Sequence, residues 1–362
     1  MIRSLGVHLI VLAVASGFAV RGWLASDKPK DDTKVAIWSA KPEQVERIEY
    51  TAKDRHVLLT ASSDALGRFY LGEVDKEVDS EPPSPHHPKS PDNPEMEDEA
   101  EEDKGGAPSA DPAKTPDAPK PHELKRFVAV KDAGKLAERL ADLKALRILG
   151  KVDPAKFADF GFDTPEPPHV KVLLAGSTRE LIFGGKTPGG QDIYARSADG
   201  EQAYVLDGQI ARDLESADTH LLERSLHEWE DDEAVRVKIT LGDASRELGR
   251  NAEKKQTWAD PKTPDAKDET AVNWMDKLER LRVTEYEEPS QPAPTVLFTV
   301  EYFSDKGKSL GRLEVASRQA GTPEPDAKPE YFGRTEYTRW WGKLVQSTAE
   351  QLAQDASGLV HP

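Results

Sequence analysis

The sequence predicts an α+β protein: an N-terminal transmembrane helix, then two related modules, each of antiparallel strands with two helices, with a disordered acidic loop inserted in the first. Three observations carry this reading. One motif occurs twice, as Leu140-x-x-Leu143-x-x-Leu146-Arg147-Ile148 and as Met275-x-x-Leu278-x-x-Leu281-Arg282-Val283. Strand-like stretches come in runs rather than alternating singly with helices, which argues against a doubly wound parallel sheet. The chain also opens on an apolar run and carries an acidic, proline-rich tract inside the first copy.

Residues 1–34 form the anchor and stalk. After Arg3, an apolar stretch runs from Leu5 to Val20, followed by Arg21, Gly22, Trp23 and Leu24. Its length is near the ~20 residues that span a bilayer, and Trp23 suits the interface. Ala13-Val14-Ala15 could serve as a cleavage site, yet the apolar run continues past it, so the segment reads as an uncleaved signal anchor. A lone N-terminal anchor places the body outside the cytoplasm, on a single-pass inner-membrane protein. The chain has no cysteine, which excludes a lipid-modified cysteine, disulfides and thiolate chemistry.

The first module, 35–224, begins with alternation at Ile48, Tyr50 and Ala52 and an aromatic-tipped second strand at Phe69. Residues 73–121 then hold fifteen acidic residues, five lysines and eleven prolines, a composition that cannot bury enough apolar surface to order the chain. The first copy of the motif reads as a Leu-rich helix. Val170, Val172 and Leu174 form a strand, Ile193 to Ser197 another, and Gly208 to Leu222 a second helical stretch. The second module, 225–362, repeats the series with Val237, Ile239 and Leu241, then Trp258, then the second motif. Val296, Phe298 and Val300 match Val170, Val172 and Leu174; Tyr331 to Thr335 matches Ile193 to Ser197, and Trp340 to Ala353 closes the copy. The matching loop in the second copy is only Ala259 to Thr270, so the acidic tract is a loop insertion rather than a linker.

Net charge is −17, and the tract supplies −10 of it, leaving about −7 with no basic stripe. That distribution argues against nucleic acid as a partner. Gly184-Gly185-Lys186-Thr187 ends like a phosphate loop, but Glu180 stands where the motif needs glycine, and strands flank it, so it reads as a hairpin. Neither Gly-x-Ser-x-Gly nor His-Glu-x-x-His occurs. His86-His87 reads as part of a solvated tract, and His220 and His227 as exposed residues at the module junction rather than metal ligands. Arg147 and Arg282 fit capping of a helix end. Possible partner contacts are Trp340 and Trp341, read as neighbours on a helix with one side chain exposed, and Tyr194 and Tyr331, with Tyr204 and Tyr337. No catalytic, metal or cofactor site is identified.

Phe157-Ala158-Asp159-Phe160-Gly161-Phe162-Asp163-Thr164-Pro165 resembles the aromatic-Gly-Leu-Asp-x-Pro phrase of the bacterial family named for the domain of unknown function numbered four-three-four-zero. Gly161 suits a left-handed residue ending a helical turn, and the prolines after it keep the chain extended. Phe162 replaces the usual leucine. The resemblance implies a membrane-anchored envelope protein, often encoded beside an ABC-type transport system similar to those of gliding motility, and it carries no catalytic residues over. The function expected is therefore a non-enzymatic accessory or scaffold subunit of such an assembly, with protein partners in the membrane. A periplasmic binding module for an envelope polymer is the alternative, and a hydrolase using acids such as Asp163 and Asp192 a third reading.

Overall fold

The computed structural model describes residues 34–78, 121–250, 257–263, 266, 268–319 and 328–361. Alternating apolar and polar residues give strands that bury one face. Chain order in the first part is β1 (Val35–Ala36), β2 (Val45–Ala52), β3 (Arg55–Asp64), β4 (Gly67–Glu77), β5 (His122–Ala129), α1 (Lys131–Ala141), β6 (Lys144–Ala145) and β7 (Arg147–Gly150). There follow α2 (Phe157–Phe160), β8 (His169–Leu174), β9 (Ser177–Lys186), β10 (Ile193–Ser197), β11 (Ala203–Leu206), α3 (Gln209–Glu215) and α4 (Ala217–His220). Nine of these strands form one antiparallel sheet in the order β5-β4-β3-β2-β8-β9-β10-β11-β7.

A second sheet is built from β12 (Arg236–Leu241), β13 (Ala244–Gly249), α5 (Glu269–Glu279), β14 (Val283–Tyr286), β15 (Thr295–Phe303), β16 (Ser309–Arg318), β17 (Glu330–Arg334), β18 (Gly342–Leu344) and α6 (Gln346–Val360). Its order is β13-β12-β15-β16-β17-β18-β14. Without β5 and β4, the first sheet runs β3-β2-β8-β9-β10-β11-β7, the same succession of chain segments. In each sheet a helix, α1 or α5, carries the chain across the buried face to the far edge, where β7 or β14 pairs. The fold is α+β with antiparallel sheets.

Three sequence expectations need correction. The repeated motif is not one helix: α1 ends at Ala141 and α5 at Glu279, so only the first part of each motif is helical and the rest turns into β7 or β14. Apolar residues at three-residue spacing satisfy a helix end and the buried turn after it equally well. Second, Val170 lies opposite Tyr50 and Leu181, and Val300 opposite Ile239 and Leu313, so Val170 corresponds to Val300 and not to Val296. The slip is of four residues, and alternation of period two cannot detect an even slip because the same face stays buried. Third, the acidic insertion does not begin at Glu73. β4 continues to Glu77, with Glu73 paired to Leu58 on one side and Arg126 on the other. The counterpart of β4 in the second sheet is the single bridge between Gly249 and Ala259.

The core is continuous across both sheets, running from Ile48, Leu136 and Phe183 through Leu221, Leu222 and Leu226 to Trp274, Phe298 and Leu352. Trp274 Nε1 donates to the carbonyl of Leu352 at 3.1 Å, tying α5 to α6. At the Gly161 turn, φ is 69° and the amides of Gly161 and Phe162 bond the carbonyls of Ala158 and Phe157, a left-handed helix end of the kind expected from the sequence. A Cβ on Gly184 would lie 2.3 Å from the Phe160 carbonyl oxygen, so that glycine lets α2 dock on β9. The Gly184–Lys186 stretch is the end of β9, with the turn after it leading to β10, as a hairpin requires. Residues 1–33, on which the anchor reading rests, and 79–120 of the acidic tract lie outside the described residues. Among the described residues, no helix is long and apolar enough to cross a membrane.

Candidate functional site

Between the two sheets the chain runs from Leu221 to Val235, and the side chains there meet groups from both. Glu223 is buried. One carboxylate oxygen accepts the Lys131 amide at 3.2 Å and the Tyr337 hydroxyl at 3.0 Å, and the other accepts the Ser225 amide. A carboxylate from the junction thus takes the first N–H of α1, where the helix dipole favours negative charge and where Val130 has no side chain to cap it. Tyr286 donates its hydroxyl to the Glu223 carbonyl at 2.8 Å. Burial first, and Glu223 second, hold Tyr286 and Tyr337 protonated well above the ordinary phenol range.

Arg339 completes the junction. Its guanidinium bonds both oxygens of Asp64 at 2.7 and 2.9 Å and lies 3.9 Å over the ring of Phe69. The hydrogen bonds from Arg339 hold the Asp64 carboxyl below its usual range. Arg339 adopts φ 63°, a left-handed conformation that costs a non-glycine residue roughly 1–2 kcal/mol. Arg126 and Glu288 also meet across the junction at 2.6 Å, but both are well exposed and such pairs contribute under about 1 kcal/mol.

Beside the junction lies a cavity of about 170 Å³ whose walls include His227, Trp229, Trp258, Met275 and Tyr302. The His227 ring stacks on Trp229 at 4.4 Å and 23°, and meets Tyr302 edge-on at 4.5 Å. Burial first, and the positive charge of Arg282 second, push His227 down to about 3, so its imidazole is neutral. His227 Nε2 is buried and has no hydrogen-bond partner among the described residues. Charges of both signs are among the lining residues: Lys131 and Arg282 against Glu228, Glu230 and Glu279. Arg282 also donates to the carbonyls of Glu279 and Leu281, so it caps α5 as expected. Arg147, by contrast, is the first residue of β7. This set suits binding by shape and hydrogen bonds.

The structure disperses the aromatic residues singled out from the sequence. Trp340 and Trp341 are not on a helix; they lead into β18, because Gly342 to Leu344 pairs with β17 and the helix begins only at Gln346. Both are half-buried, and Arg334 stacks 4.4 Å from the Trp341 ring. Tyr331 is 7% exposed and faces the core in β17, while Tyr194 sits in the other sheet, edge-on to Phe160 at 4.9 Å. Tyr204 and Tyr337 are also buried. His220 is exposed, as expected, but His227 is not, and α4 ends between them. Among the described residues, no group of histidine, aspartate or glutamate side chains could hold a metal ion. The residues missed from the sequence are Glu223, Trp229, Tyr302 and Arg339; His227 reads from the sequence as exposed and Trp258 only as a strand aromatic. Their one sequence signal is His227-Glu228-Trp229, aromatic rings set in an acidic connecting segment.

No curated protein and no solved structure matches the chain. Residues 119–298 match the family described as Domain of unknown function (DUF4340). That span contains α1, the Gly161 turn, the glycine-ended β9, the junction with Glu223 and His227, and α5. On this match the chain belongs to the DUF4340 family.

Proposed function

We propose that the protein is a non-enzymatic, membrane-anchored component of the bacterial envelope, an accessory or scaffold subunit of an ABC-type or gliding-motility-like membrane assembly. The observation that carries the reading is the junction: two sheets of the same strand order share one core and are joined by Glu223, Tyr286, Tyr337 and Arg339. A body joined in this way holds two similar surfaces at a set separation, which is what a scaffold must do. In this reading the sheets are duplicated modules, 35–224 and 225–362, with the acidic tract inserted in the first. Residues 1–34 anchor the body on the outer side of the inner membrane.

Crosslinking in intact cells followed by mass spectrometry tests this. Recovery of a transport permease or its auxiliary subunits is the expected outcome. Recovery of soluble envelope proteins alone would count against a membrane assembly.

A further inference from the structure

The first sheet ends on β5 and the second on β14, and residues of both edge strands line a cavity of about 340 Å³. The ladder decides which backbone groups point into it. Val78 donates to the Pro121 carbonyl, and hydrogen-bonded pairs alternate along antiparallel strands, so Glu123, Lys125 and Phe127 bond β4. Leu124, Arg126 and Val128 therefore turn their amides and carbonyls away from it. The Val128 carbonyl takes the Glu223 amide at 2.9 Å, as this alternation requires. Leu124 and Arg126 have no backbone partner on that side among the described residues.

The junction shows how wide the gap between the edges is. Glu223 bonds β5, while the carbonyl of the next residue, Arg224, accepts the Val283 amide of β14 at 3.0 Å. Consecutive residues that bond opposite neighbours behave as a strand lying between two others. Two residues of the chain thus fill one end of the gap as a strand would, and the cavity continues from them. We propose that the rest of the gap takes a short extended segment of a partner protein, which adds one strand between β5 and β14. The inference rests on the gap alone and not on the scaffold reading, so either can fail without the other.

The walls set the chemistry of the occupant. The open edge runs from His122 to Arg126, about 17 Å of strand. Leu124 is 49% exposed, so an apolar or β-branched residue opposite it takes apolar surface out of water. On the other face Lys125 reaches toward Asp218 of α4, so the alternate residue meets Thr219 and is polar. Arg126 is already paired with Glu288, and the remaining charges nearly cancel, Lys125 and Arg224 against Glu123, Asp218 and Glu285. Backbone hydrogen bonds therefore carry the affinity, and a strongly charged ligand is disfavoured. A gap bounded on both sides admits a lone strand but not the edge of a folded sheet, whose next strand would collide with β5 or β14. That argues against a second folded copy. The acidic tract is also a poor occupant, because its prolines lack amides and its proline-free run, Glu95 to Ala107, is repelled by the acids of the gap.

The test pans a displayed library of random octapeptides on the full-length protein, then measures the selected peptides against the parent and Leu124→Pro by fluorescence anisotropy. Proline at 124 deletes an amide that β4 does not use, the one kind of position where a strand tolerates it. Selected peptides are expected to bind the parent about tenfold or more tightly than Leu124→Pro. N-methylation of alternate peptide amides should cost as much with the protein unchanged, and added salt should matter little. In hydrogen exchange, the Leu124 and Arg126 amides should exchange fast in the free protein and slowly with peptide bound. The proposal is overturned if no peptide is recovered, if none distinguishes the parent from Leu124→Pro, or if N-methylation has no effect. Slow exchange at both amides before peptide is added would put a segment of this chain in the gap, and a dimer abolished by Leu124→Pro a second copy; either result overturns it as well.

Discussion

Gly161 and His227 show how much one position can carry. At Gly161 a left-handed φ of 69° coincides with a close approach, since a Cβ there would lie 2.6 Å from the Gly185 nitrogen. Gly176 has φ 76° but open space around it. Gly161→Ala should therefore cost about 3 kcal/mol and Gly176→Ala about 1 kcal/mol in urea denaturation; equal losses would show that α2 does not dock on β9 as described. For His227, the folded ring is neutral down to about 3 and the unfolded value is 6.5. Between those values the unfolded chain takes up a proton that the folded one does not, so this contribution is complete above 6.5 and is lost as pH falls. In His227→Phe, the urea midpoint should vary less with pH across that window than in the parent. The Gly161 turn was legible because its chemistry is local. The packing of His227 was not, because Tyr302 reaches it from a distant strand.

Elements were legible wherever period and turn residues agree, as in β2 and β12, whose buried faces follow the alternation of Ile48 and Tyr50 and of Val237 and Ile239. Register was not legible: pairing the sheets moved the match of Val170 by four residues to Val300. The acidic insertion supplies a test at this scale. Val78 donates its amide to the Pro121 carbonyl at 2.9 Å, so the two ends of the insertion are already adjacent across β4 and β5. Replacing residues 79–120 by a short hairpin turn should leave the fold intact and raise stability by about 2 kcal/mol from loop closure alone. A thermal melt checks this, and a fall in the midpoint would mean that the tract contacts the body.

At the level of the whole molecule, the continuous core implies that the two sheets unfold together. A single denaturant transition is expected by circular dichroism and tryptophan fluorescence alike. Arg339→Ala removes the bonds to Asp64 and the contact with Phe69, and should cost about 2 kcal/mol while separating the two probes. If the transitions stay coincident and the midpoint unchanged, the Arg339 contacts do not join the sheets. By itself the sequence determined the class of the fold, the recurrence of its segments, the Gly161 turn and the family, because alternation, turn chemistry and composition act between near neighbours. Only the tertiary structure decided that the sheets share a core, that Glu223 caps a helix from the junction, and that His227 faces a cavity. Those depend on which distant residues lose water together, and periodic patterns carry no record of that.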